Sequence, residues 1–314
     1  MLLEAIGGRG LVILGGKGGV GKTTLAASLA LACVRRGERV LLVSTDPAHN
    51  LGHIFDRPVG PKPVRVAPGL DAIEIDPAAC ATEHLRRVSG LLHRLTPDHL
   101  HGEMHRHLER SRHAPGMEEA ALLERLAGLA GTVGTADGPQ RLICDTAPTG
   151  HALSLLAMPE LMAAWTDGML ANRDEADRFG RKARALSGAR EGPAEARDAE
   201  IREVLMRRRV LLSAFSKQLC DREACGFVIV ATAERMPALE TVALKRSLAE
   251  AHIATPALVV NRLRGGARAE AETAAMKILR EAAGEAPVFT TPETESEPIG
   301  TDALDALWRS LQPA

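Results

Sequence analysis

The residues best suited to chemistry stand in one glycine-rich stretch near the start of the chain, Gly15-Gly16-Lys17-Gly18-Gly19-Val20-Gly21-Lys22-Thr23-Thr24. It fits the pattern G-x-x-x-x-G-K-[ST] and lies between an apolar run and a helix-favouring run, as that pattern requires. Glycines let backbone N–H groups turn inward around phosphate oxygens, and the start of a helix adds further unpaired N–H groups. The stretch therefore predicts a phosphate-binding loop.

Each side chain of this loop has a distinct expected role toward ATP. Lys22 should reach the β- and γ-phosphates as a point charge, and the Thr23 hydroxyl should ligate Mg²⁺. Thr24 is expected to cap the α-phosphate. The predicted nucleotide-binding residues of the loop are Gly16, Lys17, Gly18, Gly19, Val20, Gly21, Lys22, Thr23 and Thr24. An ordinary glycine turn before a helix is the alternative interpretation.

Lys17 narrows the interpretation, because an ordinary phosphate loop has no fixed need for a second lysine near its start. The stretch GKGGVGKTT resembles the deviant Walker A loop of dimeric ATPases, which include the arsenite-pump and tail-anchored-protein-targeting ATPases. The resemblance implies that Lys17 reaches across a homodimer interface to the nucleotide of the partner and takes part in catalysis with Lys22. A solvated lysine on a glycine loop remains the alternative.

Two carboxylates come directly at the ends of apolar runs. Asp46 follows Val40–Thr45, and Asp145 ends Arg141–Asp145. Apolar runs without alternation are typical of buried parallel strands, and ligands of an open α/β sheet bind at the carboxyl ends of such strands. Asp145 is therefore placed to hold Mg²⁺ through water, as a strand-end acid does in phosphate-loop enzymes.

The segments after these strands extend the resemblance. STDPAHNL is similar to the first switch of the arsenite-pump and targeting family, which implies that Asp46 positions the attacking water, with Pro47 and His49 in the same switch. An Asp-Pro helix start is the alternative for Asp46. DTAPTGHALSLLAMPE is similar to the second switch, whose residues here are Asp145, Pro148, Thr149, Gly150 and His151. His151 is expected to sense the γ-phosphate, although a buried structural histidine would also fit.

Asn261 and Pro292 are the predicted contacts for the adenine base. Asn261 ends the apolar run Pro256–Asn261, and its amide can both donate and accept, as an adenine edge requires. VVNRL resembles the family's adenine-reading position, and the resemblance places Pro292 beside the base. A turn asparagine is the alternative.

The elements that must position these residues indicate an α/β fold. Buried strands flanked by helical sequence predict a doubly wound, mostly parallel sheet, and the resemblance makes it a P-loop NTPase of the deviant Walker A class. We expect residues 1–314 to form a single ATPase domain, with an inserted helical subdomain formed by residues 78–133 and 161–221. The acidic amphipathic segment Asp302–Arg309 lacks the Lys/Arg face of a membrane-surface helix.

Composition limits the partners. The formal net charge is −1 at pH 7, and no basic stripe is present, so nucleic acid is not expected as a ligand. Five cysteines, an odd number, suit a reducing compartment better than a disulfide scaffold. With neither a leader nor a long apolar run, we expect a cytoplasmic protein, and peripheral association with a membrane remains open.

The cargo is less well defined than the enzyme class. Zinc is not expected, because the C-x-x-C that the eukaryotic targeting ATPases carry after this asparagine is absent here, and Cys220 and Cys225 come before the strand that contains Asn261. Arsenite would need three convergent thiolates, and the sequence contains no recognisable trio. The histidines between His93 and His113 fit a solvated helix face better than a metal site.

The sequence therefore predicts a Mg²⁺-dependent ATPase that acts as a nucleotide-switched homodimer. The resemblance favours targeting or chaperoning of a membrane protein, with a hydrophobic client or a membrane partner protein. The alternatives are the energising subunit of an arsenite or antimonite pump and a nucleotide-gated, partitioning-type switch. Methionines that could line a client groove are few, namely Met158, Met162, Met169 and Met206.

Overall fold

The computed structural model describes residues 1–46, 51–95, 102, 106, 116–146, 167–168 and 193–314. Most of both predicted switch segments and much of the helical sequence between residues 147 and 192 lie outside these residues. Within them, no helix is long and apolar enough to cross a membrane.

The described strands form one sheet of nine strands. In chain order they are Leu11–Gly15 (β1), Val40–Ser44 (β2), Val64–Ala67 (β3), Leu70–Glu74 (β4), Arg141–Asp145 (β5), Cys225–Thr232 (β6), Ala257–Leu263 (β7), Val288–Pro292 (β8) and Gln312–Pro313 (β9). Their spatial order is β3-β4-β2-β5-β1-β6-β7-β8-β9. The pairs from β4 to β8 are parallel, and only the outer strands β3 and β9 pair antiparallel. The predicted α/β class with a mostly parallel sheet is confirmed.

Helices connect these strands. The described ones are Leu2–Ile6 (α1), Lys22–Arg35 (α2), Leu51–Ile54 (α3), Pro77–Leu95 (α4), Met117–Ala130 (α5), Pro193–Cys220 (α6), Arg235–Glu250 (α7), Ala269–Ala283 (α8) and Gly300–Arg309 (α9), with a 3₁₀ turn at Gly266–Arg268.

The order in which successive strands are added across the sheet reverses at β1, and this reversal creates the site. The connection from β1 through α2 leads to β2 on one side, whereas the connections from β6 through α7 and from β7 through α8 lead away on the other. Because parallel crossovers are right-handed, the two directions put their helices on opposite faces of the sheet. Accordingly, α2 packs against α9, and α7 packs against α8. The crevice at such a reversal is where open α/β sheets bind ligands.

The core of the sheet is aliphatic, as a chain without tyrosine requires. Strands β1, β2 and β5 are buried along their whole length, which explains why their sequences show no alternation. Among the described residues, Phe227 is the largest fully buried side chain, and it lies under Gly15, where an added Cβ would approach its ring to 2.1 Å.

The acidic helix near the C-terminus is a packing element. Its apolar residues Leu304 and Leu307 are buried in the core, and the helix lies against α2. Asp305 is also buried, and its carboxylate accepts a hydrogen bond of 2.7 Å from Arg35 Nε. The amphipathic pattern of this segment therefore reflects burial on the sheet domain, and its acidic residue pairs with α2.

The structure corrects the predicted position of Asn261. Strand β7 continues two residues beyond it to Leu263, so Asn261 lies inside the strand. The pairing between β7 and β8 shifts between Val260 and Leu263, and Arg262 has a left-handed φ of 62° at that point. A bulge of this kind redirects side chains without ending the strand, which the sequence pattern did not indicate.

The chain divides into two compact units. The first contains the sheet and comprises Met1–Pro77, Thr132–Leu156 and Gln218–Ala314. The second comprises Ala78–Gly131 and Ala157–Lys217, and its described part is helical. Within the second unit, Glu124 on α5 pairs with His84 and Arg208, at 3.3 and 3.5 Å.

Candidate functional site

The phosphate loop runs from the end of β1 to the first residue of α2, at the reversal point of the sheet. Its shape requires glycine at two positions where a side chain would collide with neighbouring strands. A Cβ on Gly16 would lie 2.0 Å from Val230 O, and one on Gly21 would lie 2.3 Å from Asn261 Nδ2. Gly21 also has a left-handed φ of 88°. Gly18 and Gly19 are exposed, whereas Val20 is buried under the loop.

Lys22 opens α2 and is buried, with 4% of its surface exposed. Its Nζ donates a hydrogen bond of 3.1 Å to Lys17 O, across the mouth of the loop. Burial lowers the pKa of Lys22, and the negative charges of Asp145 and Asp46 oppose this shift. A buried cation close to two carboxylates is therefore positioned where phosphate oxygens would bind. Thr24, two residues further along α2, is half-buried.

Asp145 ends β5 and is completely buried. Its Oδ2 accepts hydrogen bonds from Thr23 Oγ1 at 2.6 Å and from Ser44 Oγ at 3.1 Å. Its Oδ1 is buried too and has no hydrogen-bond partner among the described residues. An orphaned carboxylate oxygen beside a threonine hydroxyl is a hard-oxygen donor set that suits hydrated Mg²⁺.

The electrostatics of Asp145 reflect this position. Burial raises the pKa of Asp145 to about 6, while the hydrogen bond from Thr23, the Lys22 charge and Ser44 lower it. The charge of Asp46 raises it further. The buried carboxylate is therefore only partly compensated by the protein, and a bound cation would supply the missing positive charge.

Asp46 follows β2 and is partly buried, and its backbone N–H donates to Ser44 Oγ at 3.3 Å. Its charge acts on both Lys22 and Asp145, as expected for a carboxylate near the phosphate loop. The other predicted switch residues, namely Pro47, His49, Pro148, Thr149, Gly150 and His151, lie outside the described residues.

Lys17 has a partner within its own chain. Its Nζ forms a salt bridge of 2.8 Å with Glu240 Oε1 on α7, and both side chains are more than one third exposed. The exposed tip of the loop is thus joined to the helix that follows β6. Sequence reasoning did not anticipate this contact, because Glu240 reads as an ordinary residue on a helix surface.

Asn261 supports the loop from below. Its buried amide donates a hydrogen bond of 2.8 Å to Val20 O, and its Oδ1 accepts one from Thr291 Oγ1. The next residue, Arg262, donates from Nη1 to Gly19 O at 2.9 Å. The bulge in β7 therefore holds two consecutive carbonyl groups of the loop. Pro292 ends β8 and is exposed, next to Thr291.

Glu74 is a functional candidate that sequence reasoning missed. It ends β4, is buried, and its Oε1 accepts hydrogen bonds from the N–H groups of Leu51 and Gly52, at 2.6 and 3.3 Å. These groups begin α3, directly after the predicted first switch. The available signal was an acidic residue at the end of an apolar strand, the same signal that singled out Asp145.

The cysteines of the described chain are all free. Cys33, Cys144 and Cys225 are buried, and burial raises the pKa of Cys33 and Cys225 to about 12. Cys220 donates to Ala251 O at 3.6 Å. Among the described residues, no group of three or more His, Cys, Asp or Glu side chains could hold a metal ion.

Comparisons with known proteins find relatives that are named as ATPases. The sequence model described as anion-transporting ATPase matches residues 10–312. An arsenical pump-driving ATPase of Acidiphilium multivorum is 33% identical over 265 residues, which cover 84% of this chain and 41% of that protein. A second arsenical pump-driving ATPase, from Escherichia coli, is 36% identical over 52% of this chain and 27% of its own length. The chain thus spans less than half the length of these relatives.

A second group of relatives is matched over most of its length. ATPase get3 of Aspergillus terreus is 33% identical over 261 residues, which cover 80% of this chain and 72% of that protein. ATPase ASNA1 homolog 1 of Paramecium tetraurelia is 29% identical over 258 residues, 80% of this chain and 74% of its own length.

Proposed function

The chain belongs to the anion-transporting ATPase family, and on that premise we propose that it hydrolyses Mg·ATP as a nucleotide-switched homodimer. The observation that carries the proposal is the cluster around Asp145, where a buried carboxylate with an orphaned oxygen meets the Thr23 hydroxyl and lies near buried Lys22. These groups are joined to a glycine loop at the reversal point of a parallel sheet.

Each of these residues has a task in phosphoryl transfer. The Thr23 hydroxyl and Asp145, whose Oδ1 has no hydrogen-bond partner among the described residues, would hold Mg²⁺. When bound, Mg²⁺ neutralises charge that develops on the β- and γ-phosphates. Lys22 donates to the same oxygens, exchanging its contact with Lys17 O for the nucleotide. Asp46 orients the attacking water, which is a positioning effect that raises turnover more than affinity.

The homodimer part of the proposal rests on Lys17. Its exposed salt bridge with Glu240 holds the side chain against its own α7. Exposed ion pairs contribute only about 0–1 kcal/mol to stability. A phosphate group of the nucleotide bound to a second copy would therefore displace Glu240 at little cost in free energy. Closure of the dimer would then move Lys17 from Glu240 to the nucleotide of the partner.

For the cellular role, we propose that this cycle serves targeting or chaperoning of a membrane protein, from the cytoplasm. Two observations support this role. The relatives named ATPase get3 and ATPase ASNA1 homolog 1 are matched over more than 70% of their lengths. In the helical unit, Met206 and Val210 lie one turn apart on α6 and are 40% and 63% exposed, so they offer a small apolar surface to a client. The single ATPase domain, with a helical subdomain for the client, is part of the same proposal.

The second candidate function is the driving of an arsenical pump, which the names of two relatives favour. As(III) is bound by three convergent thiolates, and among the described residues no group of three or more His, Cys, Asp or Glu side chains could hold a metal ion. We therefore rank this function below targeting.

Purified wild-type protein and Lys22→Ala are compared for ATP hydrolysis with and without Mg²⁺, and with added arsenite or antimonite. Lys22→Ala should lose turnover at least about 100-fold, because the charge-assisted phosphate contacts disappear. Wild-type turnover should require Mg²⁺ and should not respond to the metalloids. Equal turnover in both proteins would refute the proposed ATPase, and several-fold stimulation by arsenite would move the role to the pump.

A further inference from the structure

A second cavity, of about 620 Å³, lies where β6 leads into α7 and where β7 leads into α8. Its volume is in the range of small-molecule sites. Its charged lining residues are Glu234, Arg235, Arg262, Arg264, Arg268 and Glu272. Four arginines and two glutamates thus line one cavity.

Two of these arginines are uncompensated. Arg264 pairs with Glu293 at 2.8 Å, and Glu272 accepts hydrogen bonds from the backbone N–H groups of Arg264 and Gly265. In contrast, the guanidinium groups of Arg235 and Arg268 form neither a hydrogen bond nor an ion pair within the described part of the chain. A guanidinium group carries five N–H donors in a fixed fork that matches phosphate and carboxylate groups.

Part of the cavity lining is apolar. It is formed by one face of α8, where Ala271, Ala274, Ala275 and Ile278 follow helical spacing. Small side chains leave room for the body of a ligand, while the arginines supply its charged partners. The lining therefore suits a compact organic anion better than a bare halide or an apolar molecule.

Arg262 connects this cavity to the phosphate loop. It lines the cavity, and its Nη1 donates to Gly19 O at 2.9 Å. Its φ of 62° is costly for an arginine, of order 1 kcal/mol or more, and such strain persists where the surroundings hold it. An anion that draws the Arg262 guanidinium toward the cavity would release the Gly19 carbonyl and change the rim of the loop.

We propose that the cavity formed by Arg235, Arg262 and Arg268 binds a small organic anion with at least two phosphate or carboxylate groups. Through the bond between Arg262 and Gly19, its occupancy adjusts the affinity of the phosphate loop for nucleotide. This site goes beyond the proposed hydrolysis and is independent of the client.

The test uses tripolyphosphate and citrate as probes, titrated by calorimetry into full-length protein saturated with ADP, without Mg²⁺, which both probes chelate. Labelled ADP measured by equilibrium dialysis reports whether the loop stays occupied. We expect saturable binding that weakens about tenfold or more in Arg235→Gln/Arg268→Gln. Arg246→Gln, a matched change on α7 outside the cavity, should leave binding unchanged. Tighter binding of tripolyphosphate identifies a phosphate ligand, and tighter binding of citrate a carboxylate ligand.

The coupling is read from the dissociation constant of ADP. A saturating probe should shift it several-fold in the wild type, and Arg262→Ala should abolish this shift whatever its own affinity for ADP. The proposal is overturned if neither probe saturates below roughly 10 mM. It is also overturned if Arg246→Gln weakens binding as much as the double change, or if each bound probe displaces one ADP. None of these outcomes depends on ATP hydrolysis.

Discussion

At the scale of single residues, the site depends on charges that are buried before a ligand supplies their partners. Asp145 and Lys22 lie close enough to affect each other's pKa, yet Lys22 Nζ donates to Lys17 O and Asp145 Oδ1 has no partner in the described chain. Buried, partly compensated charge costs free energy in the absence of ligand. A Mg·nucleotide complex would recover that cost on binding.

This cost predicts how stability depends on pH. The pKa of Asp145 is raised from 3.8 to about 6, so the ionised form is disfavoured in the folded state. The loss of folding stability from ionising buried Asp145 is absent at low pH, grows between these two pKa values and is complete above pH 6. Asp145→Asn cannot ionise and should be more stable than the wild type at pH 7.5, by about 1–3 kcal/mol, with the difference closing toward pH 4. Urea unfolding at pH 7.5 and at pH 4, in EDTA and without nucleotide, measures this difference in the free energy of unfolding.

The control is Asp71→Asn on β4, which removes a carboxylate that pairs with Arg65 at the surface. It should not stabilise the protein at pH 7.5. If Asp145→Asn were destabilising by the same amount at both pH values, Asp145 would be an ordinary hydrogen-bonded carboxylate and its metal-binding role would lose support.

At the scale of elements, the sequence specified strands better than it specified contacts between them. Buried strands such as β2 and β5 could be predicted because continuous apolar runs ended in Asp46 and Asp145. The edge strands β3 and β9 were missed, since short, partly exposed strands carry little apolar signal. The bulge at Arg262 could not be predicted, because it depends on the register between β7 and β8.

That bulge gives Asn261 a structural role beside the predicted adenine contact, which stays a prediction. The sequence suggested an adenine contact, whereas the structure directs its amide to Val20 O and Thr291 Oγ1. Asn261→Ala would leave both partners unpaired, which should cost about 1–3 kcal/mol. Because the loop carbonyl is then unsupported, binding of ADP and of tripolyphosphate should weaken together. Thermal unfolding and calorimetry measure the two effects.

Thr291→Val is the matched change, since it removes one hydrogen bond of the pair and keeps the Asn261–Val20 contact. Thr291→Val should lower the stability and the binding of ADP and tripolyphosphate by less than Asn261→Ala does. If Asn261→Ala weakened ADP binding while tripolyphosphate binding and stability stayed normal, Asn261 would read the base, as the sequence suggested.

At the scale of the whole molecule, the proposed cycle joins the phosphate loop to a second copy of the chain. From the residue type alone, Lys17 would be an ordinary surface lysine. Only the family resemblance predicted that it contacts the nucleotide of a second chain. The structure adds Glu240 as its partner within the same chain. In the proposed cycle this pair opens when the dimer closes, and Glu240→Gln should therefore allow closure at the same or lower ATP concentration, measured by sedimentation velocity.

The most direct test of the central claim is the mass of Asp46→Asn with saturating Mg·ATP, measured by sedimentation velocity. Asn keeps the size of the side chain but orients water poorly, so ATP should bind, hydrolysis should slow by a factor on the order of 100 and the closed state should accumulate. A species of twice 33.4 kDa is expected, and it should return to 33.4 kDa when Lys17→Ala is added. A single-chain mass for Asp46→Asn with ATP bound, or a dimer that persists without Lys17, would contradict the claim.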